Sequence, residues 1–203
     1  MKKLATIFLL VMMGGCSVTT IQPPLHEYRL SPTIQSLSLD SNTQCKTQTL
    51  KVSQIFTLDT LQTKKMRYAL QNYEEYSYTQ SRWVVAPSEA IIHNVIESLQ
   101  QDGIFKSVIE YGSKAQANLL LELRVDEFMQ YFDADEKSSF VKVALGMRLI
   151  DQNNNEVVIE KSFHEMQKAQ SPDAQGGVTA LNTAVAKVIQ ELRTSLAEVC
   201  RDK

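Results

Sequence analysis

The residues of this sequence that could carry out chemistry are few and stand far apart. Cys45 and Cys200 could serve as nucleophiles, but neither lies in a Cys-Gly or Cys-x-x-Cys context that would support such a role. His26, His93 and His164 lack the spacing of metal ligands. The sequence also lacks the Gly-x-Ser-x-Gly, phosphate-loop, dinucleotide-binding and His-Glu-x-x-His motifs. We therefore predict no catalytic residue, no metal site, no cofactor and no enzymatic activity.

Cys16 stands in a different setting, directly after a short apolar segment. Two lysines at positions 2 and 3 precede ten mostly apolar residues, 4–13, which is the pattern of a secretory signal. Ten residues are too few to cross a bilayer as a helix, which takes about 20. The run Met13–Cys16 reads Met-Gly-Gly-Cys and resembles a bacterial lipobox. The sequence thus predicts a signal peptide over residues 1–15 and lipidation of Cys16, the alternative being an ordinary signal peptide with an incidental cysteine.

Lipidation of Cys16 would determine where the protein resides. A lipobox implies a diacylglycerol group on the thiol and an N-linked acyl chain such as palmitate. Each buried methylene of these chains contributes about 0.8 kcal/mol, so two or three chains hold a protein on a membrane essentially permanently. Ser17 follows the cysteine. The resemblance to enterobacterial lipoproteins implies that an aspartate at this position would favour retention at the inner membrane. We therefore expect the protein at the periplasmic face of the outer membrane, and less so at the inner membrane.

The two remaining cysteines would then lie in a compartment that permits disulfides. A bridge between Cys45 and Cys200 would close a loop of 155 positions and link the start of the folded domain to the end of its last helix. The chain-entropy model values such a bridge at roughly 5 kcal/mol. We expect this disulfide, and the alternative is two unpaired thiols.

Composition favours one globular domain. The 203 residues are 43% hydrophobic and 22% charged, with a formal net charge of −2. A mildly acidic chain without a basic run is not expected to bind nucleic acid. Residues 16–27 are predicted to be the lipidated N-terminus and a flexible tether, and residues 28–203 a single periplasmic domain.

Apolar periodicity predicts the fold class. Two amphipathic helices are predicted. The first has Pro87 at its first helical position and Gly103 as its C-terminal cap, and the second has an apolar stripe over Val178–Val199. Alternation predicts an antiparallel meander with one buried face, and shorter segments are further candidate strands. The meander strands are Ala117–Met129, Phe140–Ile150 and Glu156–Phe163, and the further candidates are Tyr28–Leu30, Thr49–Thr57, several within 58–85, and Ile104–Tyr111. We predict a two-layer α+β domain with two helices packed on a mostly antiparallel sheet.

Aromatic residues concentrate in one segment of the chain. Partly exposed aromatic side chains recur at protein interfaces, so this segment is a candidate partner surface. An alternative of equal weight is that these residues pack their own sheet. The candidates are Tyr68, Tyr73, Tyr76, Tyr78 and Trp83.

Several short motifs follow one another along the chain. There is a Tyr-x-Leu segment soon after the lipidated cysteine, an Arg-Trp pair before a proline-started helix, a central strand that leads to an aromatic residue, and an aspartate followed by an Ala-x-Asn-x-Ala run in the last helix. Here they are Tyr28–Leu30, Arg82-Trp83 before Pro87, Leu119–Phe128, and Asp173 followed by Ala180–Ala184. The order of these motifs resembles a known family, the auxiliary lipoproteins of bacterial ABC-type and Mce-type (Pqi-like) lipid transport systems.

The resemblance implies a non-enzymatic accessory subunit in the periplasm. Such subunits work with an Mce-domain protein, an ABC permease and its ATPase, and would dock that complex to the outer membrane. Phospholipid is the cargo that the resemblance suggests. Two other readings compete: a lipoprotein scaffold for lipopolysaccharide transport, secretion or peptidoglycan synthase activation, and a lipid-anchored hydrolase.

Overall fold

Two long helices lie on one face of a mixed sheet in the computed structural model, which describes residues 23–37, 43–70 and 74–201. The strands are β1 (His26–Tyr28), β2 (Thr49–Val52), β3 (Lys65–Ala69), β4 (Glu75–Trp83), β5 (Ser107–Glu110), β6 (Leu119–Phe132), β7 (Ser139–Asp151) and β8 (Glu156–Lys168). The helices are α1 (Pro87–Asp102) and α2 (Ala174–Val199), and short 3₁₀ helices occupy Gln44–Thr47 and Asp59–Gln62. The predicted α+β fold class is confirmed.

The β6–β7–β8 meander forms one half of the sheet. All neighbouring pairs in it are antiparallel, and the alternate residues Leu121, Leu123 and Val125 of β6 are buried under the helices. Strand β8 runs to Lys168, five residues beyond the predicted end at Phe163. Those last residues are mostly polar, so apolar alternation does not reveal them, although their backbone continues the ladder with β7.

Strand β6 is the centre of the sheet. On the side away from β7 it pairs with β2 near its start and with β3 near its end, both in parallel. Beyond these, β5 pairs with β2 in parallel, β4 pairs with β3 antiparallel, and β1 pairs with β4 in parallel. The parallel ladders are short, so antiparallel pairing dominates the sheet.

The helix boundaries follow local capping chemistry. Pro87 is at the start of α1, and Gly103 ends it with φ 62°, a left-handed conformation that glycine adopts without strain. Helix α2 starts at Ala174, four residues before the predicted Val178. The Asp173 carboxylate accepts a hydrogen bond from the Gly176 amide at 2.7 Å and so caps the helix N-terminus.

The first turn of α2 packs too closely for a side chain larger than glycine. A Cβ at Gly176 would overlap the carbonyl oxygen of Ser171 and lie 2.8 Å from the Ser171 amide nitrogen. A Cβ at Gly177 would overlap Oε1 of Gln130, a buried side chain that also accepts from the Tyr78 hydroxyl at 3.0 Å. Both glycines lie within α2, and this close packing leaves no room for a side chain at either position.

Substituting Gly176 by alanine should destabilise the protein by about 1–3 kcal/mol, because the backbone at Ser171 has to move to admit the methyl group. Chemical unfolding measured by circular dichroism tests this. Gly112→Ala is the matched control, since nothing lies within 4 Å of a Cβ at that position. Equal stability of the two variants would contradict the tight packing.

Residues 29–37, which we term the strap, lie across the helix layer without regular secondary structure. The Ser31 amide donates to the Asn182 side chain at 2.6 Å, and Arg193 donates to the Gln35 carbonyl at 2.8 Å. The Leu37 amide donates to Asp102 at 3.3 Å. The strap therefore fixes the beginning of the domain to both helices.

A buried ion pair joins the two helices under the strap. Arg193 of α2 donates to Asp102 of α1 through both Nε and Nη2, with the Nε–Oδ2 distance at 2.6 Å. The two side chains are 1% and 0% exposed. The sequence does not reveal this pair, because a lone arginine at the border of an apolar stripe is usually a solvated residue.

Candidate functional site

The helices cover only one face of the meander, and its other face, which we term the open face, is exposed. Side chains that share a cross-strand row share a face, so register defines this surface. From one end to the other its rows are Leu120–Ile150–Val157, Glu122–Arg148–Glu160, Arg124–Gly146–Ser162, Glu127–Ala144–His164, Met129–Lys142–Met166 and Tyr131–Phe140–Lys168. Apolar and aromatic rows thus lie at both ends, with charged rows between them.

The charges in the middle of the open face are paired with one another. Arg148 contacts Glu122 at 3.3 Å and Glu160 at 3.0 Å, while Arg124 contacts Asp126 at 2.6 Å. The hydrogen bond and the charge of Arg148 lower the pKa of the Glu160 carboxyl. Opposite charges that compensate in this way give no extended basic surface for an anionic partner.

Phe56 is an exposed apolar residue at this surface whose backbone is bonded to the sheet. It forms an isolated parallel bridge to Arg124 of β6, and its side chain is 58% exposed. Its amide donates to the Leu123 carbonyl at 2.9 Å, and its carbonyl accepts from the Val125 amide at 2.9 Å. The backbone is therefore fixed while the ring stands in solvent.

Two cavities adjoin Phe56, and we term them together the Phe56 groove. One, of about 360 Å³, extends over Arg124 and Gly146. The other, of about 600 Å³, is lined by Leu120 and by Tyr111, whose side chain is 63% exposed. An exposed aromatic ring between two cavities is the arrangement of an anchor residue at a protein interface.

The tyrosine segment gives a mixed result. Tyr68 contacts Tyr76 and Tyr78, with ring centroids 5.7 and 4.6 Å away, and contacts Phe132 at 5.3 Å. Burial raises the pKa of the Tyr78 hydroxyl, which donates to the side chain of Gln130. Of these tyrosines only Tyr76 is largely exposed, at 41%, so the segment mainly packs its own sheet, and its use as a partner surface stays a prediction. Tyr73 lies outside the described residues.

The prediction that Trp83 contributes to a partner surface is wrong. Its side chain is 2% exposed, and its ring centroid lies 5.8 Å from that of Phe128. Trp83 ends β4 on the face that the helices cover, so it packs in the core. Aromatic content alone does not distinguish a core tryptophan from an exposed one.

The structure describes two of the three cysteines, Cys45 and Cys200. Cys45 and Cys200 are joined by a disulfide, and the Gln44 amide donates to the Cys200 carbonyl at 3.1 Å beside it. Cys16 lies outside the described residues.

Within residues 23–37, 43–70 and 74–201, no group of three or more histidine, cysteine, aspartate or glutamate side chains is placed to hold a metal ion. No helix in this part of the chain is long and apolar enough to cross a membrane.

Neither Phe56 nor Tyr111 was predicted from the sequence. For Phe56 a signal was present, because the alternation of the predicted strand Thr49–Thr57 shifts phase at Gln54. In the structure β2 ends at Val52, and the chain returns to β6 only at the single bridge of Phe56. The break in alternation at Gln54 thus marks the place where regular pairing with β6 stops, two residues before Phe56.

Comparison with known proteins shows the family and the fold. The family model of the ABC-type transport auxiliary lipoprotein component matches residues 28–192. The crystal structure of protein XCC0632 from Xanthomonas campestris is similar, with a TM-score of 0.73, 16% identity, and coverage of 85% of this chain and 95% of that one. A second crystal structure, of an uncharacterized protein, has a TM-score of 0.64, 15% identity, and coverage of 86% and 99%.

These two structures are below 25% identity and support the fold alone. No curated protein matches the chain. The family match is of a different kind, because it extends from the end of β1 almost to the end of α2. It includes the meander, α1, most of α2 and the Phe56 groove, and so the chain belongs to the family of ABC-type transport auxiliary lipoprotein components.

Proposed function

We propose that this lipoprotein is anchored to the periplasmic face of the outer membrane and docks an ABC/Mce-type lipid transport complex there. Its direct partner would be the Mce-domain protein, which works with the permease and the ATPase. The observation that carries the proposal is the open face with the Phe56 groove. Membership of the family of transport auxiliary lipoproteins supports it.

The character of the open face favours a protein partner. An exposed phenylalanine between two cavities offers an anchor, and the neighbouring charges are already compensated. Interfaces of this kind have a desolvated aromatic centre and a polar rim. In this view the helix layer supports the sheet, and the opposite face makes the contact.

The lipid on Cys16 would set the distance between the groove and the membrane. Residues 17–25 separate Cys16 from His26, the first residue of β1. Ten residue steps extend to at most about 35 Å. The acyl chains would therefore hold the domain close beneath the outer membrane, where a complex that rises from the inner membrane ends.

Replacing Phe56 by alanine should weaken capture of the transport complex. Loss of an interface anchor costs about 2 kcal/mol or more, which corresponds to roughly 30-fold in affinity. The measurement is a mild-detergent pull-down of the full-length lipoprotein with quantitative mass spectrometry. Tyr76→Ala is the matched control, because Tyr76 is the exposed aromatic of the alternative surface. A loss with Tyr76→Ala but not with Phe56→Ala would assign docking to the tyrosine segment instead.

A Cys16→Ala variant separates anchoring from docking. We expect the purified variant to capture the complex still, but to be unable to retain it on outer-membrane vesicles, because it lacks the acyl chains. Capture of a secretin, an outer-membrane barrel or a cell-wall synthase in place of an Mce-domain protein would overturn the proposal and favour the scaffold function.

A further inference from the structure

The backbone on either side of Phe56 has hydrogen-bonding groups that face away from the sheet. Since the amide and carbonyl of Phe56 both bond to β6, those of its neighbours Ile55 and Thr57 point to the opposite side. Among the described residues, neither the amide nor the carbonyl of Ile55 or Thr57 makes a backbone hydrogen bond. The Thr57 hydroxyl donates to the Val125 carbonyl at 3.5 Å, which leaves the Thr57 backbone unaffected.

These groups lie in a gap between strands, beside residues 53–57 on the side away from β6, and we term this gap the notch. Strand β5 pairs with β2 only as far as Glu110 opposite Val52. Strand β4 pairs with β3, which starts at Lys65. Between these two ladders, no described strand lies beside residues 53–57 on the side away from β6. The notch is therefore a short edge bounded by a neighbouring strand at each end.

The larger cavity of the Phe56 groove adjoins the notch, and its charged groups already have partners. It is lined by residues 53–57 together with Lys51, Tyr111 and Glu122. The Lys51 ammonium donates to the Ser113 carbonyl at 3.1 Å, and Glu122 contacts Arg148 at 3.3 Å. The other lining residues, which include Gln54, Gln62 and Gln152, are uncharged. An incoming side chain would thus meet aromatic rings, uncharged amides and charges that are already paired, which disfavours an ionic group.

We propose that the notch receives an extended segment of the docked protein partner, which adds a short strand beside residues 55–57. Its backbone would pair with the amides and carbonyls of Ile55 and Thr57, whose two-residue spacing is that of one edge of a strand. An apolar side chain of the segment would enter the cavity between Phe56 and Tyr111. This inference rests on the proposed function, because it assigns a binding mode to the same partner.

Site-resolved hydrogen exchange tests the binding mode directly. The full-length lipoprotein would be measured alone and in complex with the detergent-solubilised transport assembly, by mass spectrometry with electron-transfer fragmentation. We expect the Ile55 and Thr57 amides to exchange at least tenfold more slowly in the complex. The Phe56 amide is an internal control, because it is bonded to the Leu123 carbonyl in the free protein. Its exchange should change little.

The possible outcomes are distinguishable. If the complex forms but the exchange of Ile55 and Thr57 is unchanged, strand addition is overturned while the docking function stands. If both amides are already protected in the free lipoprotein, the notch is filled by the chain itself, which also overturns the inference. If no complex forms, the proposed function fails and the inference fails with it.

A second variant probes the apolar part of the site. Tyr111→Ala should reduce capture of the transport complex at least tenfold, because it removes one wall of the cavity. The Tyr111 side chain is exposed, so its removal is not expected to disturb folding. Leu58→Ala is the control, with a side chain 67% exposed that does not line the cavity. Equal capture by the two variants would overturn the placement of an apolar side chain beside Tyr111.

Discussion

Replacing Asp102 with alanine should destabilise the protein by about 3–5 kcal/mol, because the Arg193 guanidinium would remain buried without its counter-charge. The strap would lose a contact as well, since the Leu37 amide donates to the same carboxylate. Denaturant unfolding of the domain measures the effect. A loss of this size is a large fraction of the roughly 5–15 kcal/mol by which a typical domain is stable, and we expect it to appear as aggregation or degradation in cells.

Two further variants make the prediction specific. Glu27→Ala breaks an exposed pair with Arg82 and should cost less than about 1 kcal/mol. Asp102→Leu combined with Arg193→Met removes both charges and should recover most of the stability lost by Asp102→Ala, since apolar replacement of a buried pair is often neutral or stabilising. An Asp102→Ala variant as stable as Glu27→Ala would show that the pair does not hold the helices together.

Removing the disulfide by Cys45→Ser and Cys200→Ser is the second large change, with an expected loss of about 2–5 kcal/mol. The bridge closes a loop of 155 positions, so its removal greatly enlarges the conformational freedom of the unfolded chain. The two cysteines are also 6% and 1% exposed, so two hydroxyl groups would be placed in an apolar environment.

Thermal unfolding with and without a reductant measures the contribution of the bridge. The wild-type protein should lose stability on full reduction, whereas the double serine variant should be insensitive to the reductant. A Cys45→Ala, Cys200→Ala variant controls for the buried hydroxyl groups. If wild type and both variants unfold at the same midpoint temperature, the bridge does not contribute to stability.

The sequence predicts an element of the fold well where the pattern of apolar residues is the dominant signal. The apolar stripe of α2 and the alternation of β6 and β7 report burial on one side, and the structure has the corresponding elements. Where two signals conflict, sequence alone was insufficient. Gly176 and Gly177 are typical of a loop, yet the Asp173 cap and close packing make them part of a helix.

Tertiary pairing is what sequence could not provide. The parallel ladders of β2 with β5 and β6 depend on which strands meet, and no local pattern specifies this. Likewise, Arg193 is buried because α1 supplies Asp102, 91 positions away in the sequence. The Phe56 groove could not be predicted for the same reason. The position of Phe56 depends on its single bridge to β6, and β6 is itself placed by long-range strand pairing.

The link between Cys45 and Cys200 also bears on how the domain would respond to mechanical force. If Cys16 is held in a membrane while the open face holds a large complex, tension enters the domain through its N-terminus. It would first act on β1 and the strap, which are held by hydrogen bonds and by the packing of Leu30 and Ile34 against the core. At Cys45 the tension would divide, because the covalent bridge passes part of it to the end of α2. The sheet and the helix layer would then bear the load in parallel, and further extension would require both to yield together.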